Sequence, residues 1–396
     1  MEEYIGEEEV QSLPSCIHSN SLQSISARVA QITSHIPHSR PNAKIKTNTI
    51  MGSRGTSKGL VLLTGGTGFI GFRTLVETLQ TGYHVRAAIR RESSIAEIQA
   101  ARSIQPYLSA LTFVIVPDIT VPGAFDEAVK DVDYIIHLAS PLAIPSDDHE
   151  KTIIQPAIKG TVGILYSALK VPTLKRVVIT ASIVSVMPIG AFIDPTFSEI
   201  VYPNTSVPDM SGPYGDAFHA YASSKNQAFN ASTRFIEENK PSWSVVNVMP
   251  AFVMGRSELA IAKGRKAVRS GTNAIGLNPV MGVKNPDGLW ALTCHVDDVA
   301  YTHVQALNEA KVPKSTNLGV VYRGVEGGII WDDSLEIVKK HFPKEVESGV
   351  FPLGGTQGSK KLRFDATETE KVLGFKFKNW EEQILSVAGA YAEAKA

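Results

Sequence analysis

Residues 60–71 read LVLLTGGTGFIG, and this stretch decides the fold of the chain. Residues 60–63 form a short apolar run that is terminated by glycines, a pattern typical of a buried parallel strand. Glycines then recur at the spacing G-x-x-G-x-x-G, where a tight turn, the approach of a pyrophosphate and close helix packing each need a small residue. The start of the following helix would offer free N–H groups to the phosphates. The stretch predicts a dinucleotide-binding loop rather than a merely flexible turn. The candidate contacts are Gly65, Thr67, Gly68, Phe69, Ile70 and Gly71.

The end of the second predicted strand, residues 85–89, indicates which dinucleotide is bound. An enzyme that uses NAD usually carries Asp or Glu there, because the carboxylate holds the ribose 2′-hydroxyl. This chain has Arg90 and Arg91 instead. A guanidinium can pair bidentately with a 2′-phosphate. The sequence therefore predicts NADP(H), and two solvated surface arginines are the alternative.

Residues after three later strands complete the candidate cofactor site. Asp118 follows the third strand, where it could bind the adenine amino group or serve as a turn residue. The backbone of Ala139 and Ser140 is expected to run beneath the ribose and nicotinamide. Ile119 and Pro250 are further expected contacts. All five lie at carboxyl ends of strands, where open α/β sheets bind ligands.

Strands and helices alternate along the chain up to residue 249. The predicted strands are 60–63, 85–89, 112–116, 134–138, 176–180 and 244–249, and the predicted helices are 69–80, 93–103, 148–170 and 216–239. This alternation indicates an α/β fold with a doubly wound parallel sheet of the Rossmann type. We expect residues 1–57 to be a disordered N-terminal extension and residues 58–250 to form the NADP-binding domain with the catalytic residues. Residues 251–396 would be mainly substrate-binding, with part of the chain returning to the first domain.

Two stretches without clear periodicity interrupt the alternation. Residues 183–215 are rich in proline, glycine and aromatic residues, and residues 251–290 are similarly irregular. Both follow the ends of predicted strands. We expect these stretches to line a substrate pocket, together with residues beyond 300.

The pattern Tyr-x-x-x-Lys occurs three times, at 166/170, 221/225 and 391/395, so position must decide which copy is catalytic. The four-residue spacing puts both side chains on one helical face. Only Tyr221 and Lys225 follow a strand that ends in a hydroxyl, that of Ser182. Reduction of a carbonyl needs a proton donor, for which Tyr221 is the candidate. Lys225 would lower its pKa and bind the nicotinamide ribose, and Ser182 would hold the substrate oxygen.

Bulk composition excludes several other classes of protein. Lys plus Arg equals Asp plus Glu, 39 each among 396 residues, so no basic field points to nucleic acid. No apolar run approaches the length that crosses a bilayer, and the acidic start at residues 1–9 does not suit a secretory signal. Only Cys16 and Cys294 are present, which suits a reducing, cytoplasmic location. We expect no metal, and a small carbonyl compound as the partner of a monomer or homodimer.

The motifs taken together resemble the extended short-chain dehydrogenase/reductases. The similarity is greatest to the dihydroflavonol-reductase-like branch and to fungal and yeast NADPH-dependent carbonyl reductases of the methylglyoxal/isovaleraldehyde type. It extends over about residues 58–392 and rests on 64–71 (TGGTGFIG), 85–91 (VRAAIRR), 137–141 (HLASP), 180–182 (TAS), 221–225 (YASSK), 296–300 (VDDVA) and 364–377. The resemblance implies reduction of aldehydes, ketones or flavonoid-like ketones through the Ser182–Tyr221–Lys225 triad.

The chain departs from this family at two places. The family often has Thr-Ser-Ser where residues 180–182 read Thr-Ala-Ser, and it tends to have Asn-Pro and Gly-Pro where residues 248–250 and 255–256 read Val-Met-Pro and Gly-Arg. Two other functions remain open. A nucleotide-sugar epimerase or dehydratase with tightly bound NAD would share the fold and triad. A non-catalytic NADP-binding regulator would share the glycine loop.

Overall fold

The computed structural model describes residues 57–140, 146–194, 196–324 and 328–396. The described residues fall within one compact unit. The predicted disordered extension, residues 1–57, lies outside the described residues except for Ser57. The division into two domains at residue 250 stays a prediction.

A seven-stranded, all-parallel sheet forms the centre of the fold, in the order β3-β2-β1-β4-β5-β7-β11. This order reverses between β1 and β4, as in a Rossmann sheet, so the predicted fold class is confirmed. The strands of the chain are β1 (Leu60–Thr64), β2 (His84–Ile89), β3 (Leu111–Ile115), β4 (Tyr134–His137), β5 (Arg176–Thr180), β6 (Ile200–Val201), β7 (Ser244–Pro250), β8 (Phe252–Met254), β9 (Lys284–Trp290), β10 (Thr293–His295), β11 (Asn317–Val320), β12 (Thr356–Lys360) and β13 (Arg363–Phe364).

Helices cover both faces of this sheet. They are α1 (Phe69–Gln80), α2 (Ser93–Ala100), α3 (Gln155–Ala168), α4 (Gly190–Ile193), α5 (Ala217–Asn239), α6 (Glu258–Lys263), α7 (Arg265–Val268), α8 (Gly271–Leu277), α9 (Val296–Gln305), α10 (Asp333–His341), α11 (Pro343–Glu347), α12 (Thr367–Leu373) and α13 (Trp380–Glu393). Two 3₁₀ turns, Gln105–Ala110 and Ile183–Ser185, and a π-helical turn, Glu150–Ile154, connect them.

Alternating side chains of β1 explain why the sheet is covered on both faces. Val61 and Leu63 belong to one buried cluster, which includes residues of α1 and α9, whereas Leu62 belongs to a second, which includes residues of α3 and α5. Because successive side chains of a strand point to opposite faces, the continuous apolar run needs a helical layer on each side.

The predicted elements up to residue 250 agree closely with the structure. Helix α1 and strand β5 have the predicted bounds. The predicted helix 148–170 is a π-helical turn followed by α3. The stretch 251–290 is not irregular throughout, because it contains β8, three short helices and β9. Elements of three to seven residues are too short to show a clear period in the sequence.

The 296–300 motif, VDDVA, ties α9 to its neighbours. The side chain of His295 accepts a hydrogen bond from the backbone of Asp297 at the start of the helix. Asp297 pairs with Arg73 of α1 at 2.6 Å, and Asp298 accepts from the backbone N–H of Lys378 at 2.8 Å. This motif therefore fixes α9 between the phosphate-loop helix and the C-terminal segment.

Candidate active site

The glycine loop has the geometry that its spacing predicts. Gly65 has φ +76°, and a Cβ there would lie 2.9 Å from the backbone nitrogen of Ala139. A Cβ at Gly71 would collide with the carbonyl oxygen of Gly65. Helix α1 begins at Phe69 after Gly68, which offers no side-chain cap to the first N–H groups. The helix start therefore leaves N–H donors for an anion, with Thr67 exposed beside them.

Thr64 joins the ends of β1 and β4 at the point where the strand order reverses. Its Oγ1 accepts from the backbone N–H groups of Leu138 and Ala139 at 3.1 and 3.0 Å, and it lies 3.0 Å from Nδ1 of His137. These bonds hold Ala139 beside the glycine loop. This role of Thr64 was not predicted from the sequence, although the residue belongs to the 64–71 motif.

The remaining predicted cofactor residues lie along the same sheet edge. Arg90 and Arg91 are exposed at the end of β2, and neither forms an ion pair with another described residue. Asp118 accepts from the backbone N–H and the hydroxyl of Thr120 at 2.8 and 2.7 Å, which lowers its pKa. Ile119 packs against Gly160 of α3. The bonds of Asp118 are those of a turn residue, and a cofactor contact there stays a prediction.

An open cleft lies next to the turn after β3. Its volume is about 370 Å³, and its lining includes Thr120, Gln155 and Lys159. The cleft thus lies beside Asp118, where the adenine end of the cofactor is expected.

The structure brings the three predicted catalytic residues together. Ser182 lies two residues after the end of β5 and caps the turn Ile183–Ser185. Its hydroxyl also lies 3.5 Å from the carbonyl oxygen of Pro250. Tyr221 and Lys225 lie in the first turns of α5, which Asp216 caps by accepting from the N–H of His219. Ser182 is close enough to the phenol of Tyr221 to act on its pKa, which it lowers.

Lys225 lies beside Tyr221 and reaches the predicted cofactor residue Ser140. Its Nζ is 5.9 Å from the ring centroid of Tyr221 and donates to the Oγ of Ser140 at 3.1 Å. Burial lowers the pKa of Lys225 to about 8. Lys225 therefore connects the triad to the strand end at the centre of the site.

The pKa of Tyr221 is raised above its ordinary value. Burial of the phenol is the main cause, and the hydrogen bond with Ser182 acts in the opposite direction. This result is opposite to the expected lowering by Lys225, because desolvation penalises the phenolate more than its surroundings stabilise it. The phenol therefore keeps its proton at neutral pH.

The two other Tyr-x-x-x-Lys copies lie elsewhere. Tyr166 is 55% exposed on the outer surface of α3, and Lys170 pairs with Asp126 at 2.6 Å. Tyr391 is buried in the C-terminal cluster, with Arg265 5.5 Å from its ring centroid. Neither copy lies at a strand end with a hydroxyl.

A small, partly polar cavity adjoins Lys225 on the side of the sheet, and apolar side chains also line it. Its volume is about 20 Å³, and its lining includes His137, Ser140, Thr180, Lys225 and Asn247. Among the described residues, the Nε2 of His137 and the Oδ1 of Asn247 find no hydrogen-bond partner. Asn247 was not predicted from the sequence, because nothing in its local pattern distinguishes it from other strand residues.

A cluster of aromatic rings begins at Phe218, beside Tyr221. Phe218 lies 6.4 Å from the ring of Tyr221 and 5.5 Å from Trp290, to which it is nearly parallel. Phe192 lies 5.4 Å from Trp290 in an edge-to-face arrangement. Phe192 and Trp290 come from the two stretches that were expected to line the pocket. No single residue of this cluster was predicted from the sequence.

Comparison with protein families identifies the chain. The model of the NAD dependent epimerase/dehydratase family matches residues 61–319. The chain belongs to this family. Ketoreductase CTB6 of Cercospora nicotianae is 38% identical over 345 residues, which cover 84% of this chain and 95% of that protein. The putative NADPH-dependent methylglyoxal reductase GRP2 of Candida albicans is 28% identical over 344 residues, or 83% of this chain and 97% of that protein.

Solved structures of the same fold agree with this assignment to the epimerase/dehydratase family. Yeast methylglyoxal/isovaleraldehyde reductase Gre2, complexed with NADPH, has a TM-score of 0.70 and 25% identity, covering 84% of this chain and 98% of that one. Vestitone reductase from alfalfa has a TM-score of 0.63 at 22% identity, covering 85% and 99%. The resemblance inferred from the motifs is therefore confirmed.

The described residues contain neither a candidate metal site nor a membrane-spanning helix. No group of three or more His, Cys, Asp or Glu side chains there could hold a metal ion. No helix in the described part of the chain is both long and apolar enough to cross a membrane.

Proposed function

We propose that this member of the epimerase/dehydratase family is an NADPH-dependent reductase that transfers hydride to an aldehyde or ketone. The observation that carries the proposal is the meeting of Ser182, Tyr221 and Lys225 beside the glycine loop. The ketoreductases and methylglyoxal reductases among its relatives support the reaction class and the nicotinamide cofactor.

The residues of the sheet edge fit a nicotinamide dinucleotide. The start of α1 offers N–H donors to a pyrophosphate, and the glycines leave no Cβ between it and the backbone. The exposed guanidinium groups of Arg90 and Arg91 suit the 2′-phosphate of NADP. Ala139, Ser140 and Pro250 would lie along the nicotinamide and its ribose, with Lys225 on the ribose hydroxyls.

The triad would handle the proton and the carbonyl oxygen. NADPH, when bound, would be the source of the hydride for the carbonyl carbon. Tyr221 donates its phenolic proton to the carbonyl oxygen, so that an alcohol forms. Ser182 donates a hydrogen bond to the same oxygen and fixes its position, and the ammonium of Lys225 stabilises the phenolate that remains.

The reaction is tested by following NADPH oxidation, with NADH in parallel, over aldehydes, ketones, diketones and dihydroflavonols. Tyr221→Phe should lower kcat by at least about 100-fold, because it removes only the donated proton. Tyr166→Phe is the matched control, since it alters the same pattern at an exposed site, and it should leave kcat unchanged. Cofactor binding without turnover of any carbonyl would contradict the proposal. Tightly held NAD in the purified protein would support the epimerase or dehydratase alternative.

The preference for NADPH is tested separately at Arg90. Arg90→Ser should raise the KM for NADPH about tenfold, because it removes a charged partner of the 2′-phosphate, and should leave the KM for NADH unchanged. Arg102→Ser, elsewhere on the surface, is the control. An equal effect on both cofactors would mean that Arg90 does not recognise the 2′-phosphate.

A cytoplasmic location and a monomeric or homodimeric state remain proposals. The low cysteine content supports the first, since the chain has two cysteines and the described one, Cys294, is a buried free thiol. Fractionation of cells and light scattering of the purified protein test them.

A further inference from the structure

Phe192, Phe218 and Trp290 form a continuous apolar surface beside the candidate proton donor, here called the aromatic wall. Phe192 belongs to α4, Phe218 to α5, and Trp290 is the last residue of β9. Their ring centroids are 5.4 to 6.1 Å apart. Aromatic rings at such distances attract each other, so the three separate segments hold one another in place.

The wall faces Tyr221 and remains partly open to solvent. Phe218 lies three residues before Tyr221, which puts both on one face of α5, and their ring centroids are 6.4 Å apart. All three wall residues are only partly buried, unlike the core on which they pack. A substrate whose carbonyl is hydrogen-bonded to the hydroxyl of Tyr221 would therefore have the aromatic surface beside it.

The edge of the wall is also apolar. Ile189 and Ile193 flank Phe192 and are 54% and 67% exposed. Exposed apolar residues are ordinary when scattered, but a group that adjoins an active site marks a binding surface. The imidazole of His219 lies 6.1 Å from the ring of Phe192, and its Nδ1 is 3.0 Å from a carboxylate oxygen of Asp216.

We propose that the aromatic wall binds a flat apolar group on the substrate, and that Trp290 determines the preference for aryl-substituted ketones over small aliphatic carbonyls. The proposal rests on the proposed reductase function. A ring stacked on the wall removes apolar surface from water and adds an aromatic contact of about 0.5–1.5 kcal/mol, whereas a short aliphatic ketone leaves the wall uncovered.

The test compares benzylacetone with butanone, its counterpart without the phenyl ring. The two ketones present the same kind of carbonyl, so a difference in kcat/KM reports binding of the ring. Wild type should favour benzylacetone about tenfold or more. Trp290→Leu should lower kcat/KM for benzylacetone about tenfold and for butanone less than about twofold, with the KM for NADPH unchanged.

Control variants separate a role in specificity from a role in folding. Phe375→Leu changes a partly buried aromatic residue that packs against Tyr301 and Phe377, and it should alter neither ketone's kcat/KM. Trp290→Phe keeps an aromatic ring and should retain most of the preference. Should Trp290→Leu fold poorly, Phe192→Leu tests the same surface from another segment.

The outcomes distinguish the two proposals. Equal losses for both ketones in Trp290→Leu, or no loss for either, would overturn the role of the wall and leave the reductase function standing. Failure of the wild type to oxidise NADPH with any carbonyl would overturn the function itself.

A second inference comes from the polar cavity behind Lys225. Oγ1 of Thr64 already accepts two backbone N–H groups, so its own proton goes to Nδ1 of His137. Burial lowers the pKa of His137 to about 3, so the ring is neutral. Its Nε2 therefore carries the proton and is a donor that no described residue satisfies.

The same cavity is also lined by a hydrogen-bond acceptor, the Oδ1 of Asn247. The Nδ2 of Asn247 donates to Asn317 at 2.9 Å, and Asn317 in turn donates to Pro203 and Asn204, which fixes the orientation of both amides. The Oδ1 of Asn247 is thus an acceptor without a partner among the described residues. His137 is 2% and Asn247 8% exposed.

The geometry points to a buried water molecule that accepts hydrogen bonds from His137 and from the ammonium of Lys225 and donates one to Asn247. His137 and Asn247 are then positioning residues. The volume of about 20 Å³ exceeds the roughly 10–15 Å³ that one water needs. The titratable groups that face Lys225 are Tyr221 and His137, with His303 behind Thr180 at 2.7 Å.

Asn247→Leu tests this water site. Leucine removes the acceptor and fills the cavity, so the ammonium of Lys225 loses polar surroundings. The alkaline midpoint of kcat/KM should move down by about half to one pH unit. Asn230→Leu, whose amide bonds Val207 and Asp209 away from the cavity, should leave the midpoint unchanged. A lower melting temperature with an unchanged midpoint would show that Asn247 is only structural and would overturn the inference.

Discussion

The two sides of the Tyr221–Lys225 pair are built from opposite kinds of residue. On the side of Lys225, strand ends supply hydroxyl, amide and imidazole groups around a cavity that one water would fill. On the side of Tyr221, a short helix, a long helix and a strand outside the main sheet supply aromatic rings. The polar side lies within the sheet, whereas the aromatic side is open at its edge.

This difference separates the reaction from the choice of substrate. The polar side is fixed by parallel strands with regular register, so its groups cannot shift without disturbing the sheet. The aromatic side depends on contacts between rings and tolerates replacement of one ring by another apolar group. Changes on the polar side should therefore affect every substrate, and changes on the aromatic side only some.

The largest effect is expected at Lys225 itself. Lys225→Met keeps the length of the side chain but removes the charge and the bond to Ser140. It should lower kcat at least about 100-fold for every carbonyl, because the phenolate of Tyr221 loses its cation. The KM for NADPH should also rise.

Lys170→Met provides the control for this variant. Lys170 occupies the same position in the 166/170 copy of the pattern and pairs with Asp126 at the surface, so kcat should not change. A loss in Lys225→Met that depends on the substrate would break the distinction between the two sides.

The pH profile of the wild type gives an effect of intermediate size. The pKa of Lys225 is about 8, so the ammonium is present below that pH and is lost above it. The kcat/KM for reduction should thus fall as pH rises through about 8, approaching tenfold per unit. The measurement is kcat/KM for one ketone from pH 6 to pH 10. A profile that stays flat to pH 10 would show that the charge of Lys225 is not needed.

The smallest effect is expected at the edge of the aromatic side. Ile193→Ser replaces a side chain that is 67% exposed, so the free energy of unfolding should change by less than about 0.5 kcal/mol. The kcat/KM for benzylacetone should fall about twofold, and that for butanone should not change. Urea unfolding measures the change in stability, and the same kinetic assay measures kcat/KM. An equal fall in kcat/KM for the two ketones would contradict a role of this edge in substrate choice.

Sequence reasoning predicted the polar side better than the aromatic side. The glycine loop, Ser182 and Tyr221 all follow strands that can be recognised from their own sequence. Their place in the chain therefore predicts their place at the edge of the sheet. Trp290 contacts Phe218, the ring beside Tyr221, and its strand β9 pairs with β12, a contact between distant segments. No local pattern encodes such a contact.

Two features of the polar side also escaped prediction. The raised pKa of Tyr221 depends on how deeply the phenol is buried, which spacing alone does not give. The unpaired Oδ1 of Asn247 depends on an amide network that joins β7 to β11 and the loop at Pro203. Both are consequences of tertiary packing.

Trp290 also gives the protein a built-in optical reporter. The chain has four tryptophans, of which Trp243, Trp331 and Trp380 are buried, whereas Trp290 is partly exposed at the candidate substrate site. A ligand stacked on its indole changes the polarity around this one fluorophore and leaves the other three as a constant background. Binding of a ketone could therefore be titrated by intrinsic fluorescence in the Tyr221→Phe variant, without any turnover.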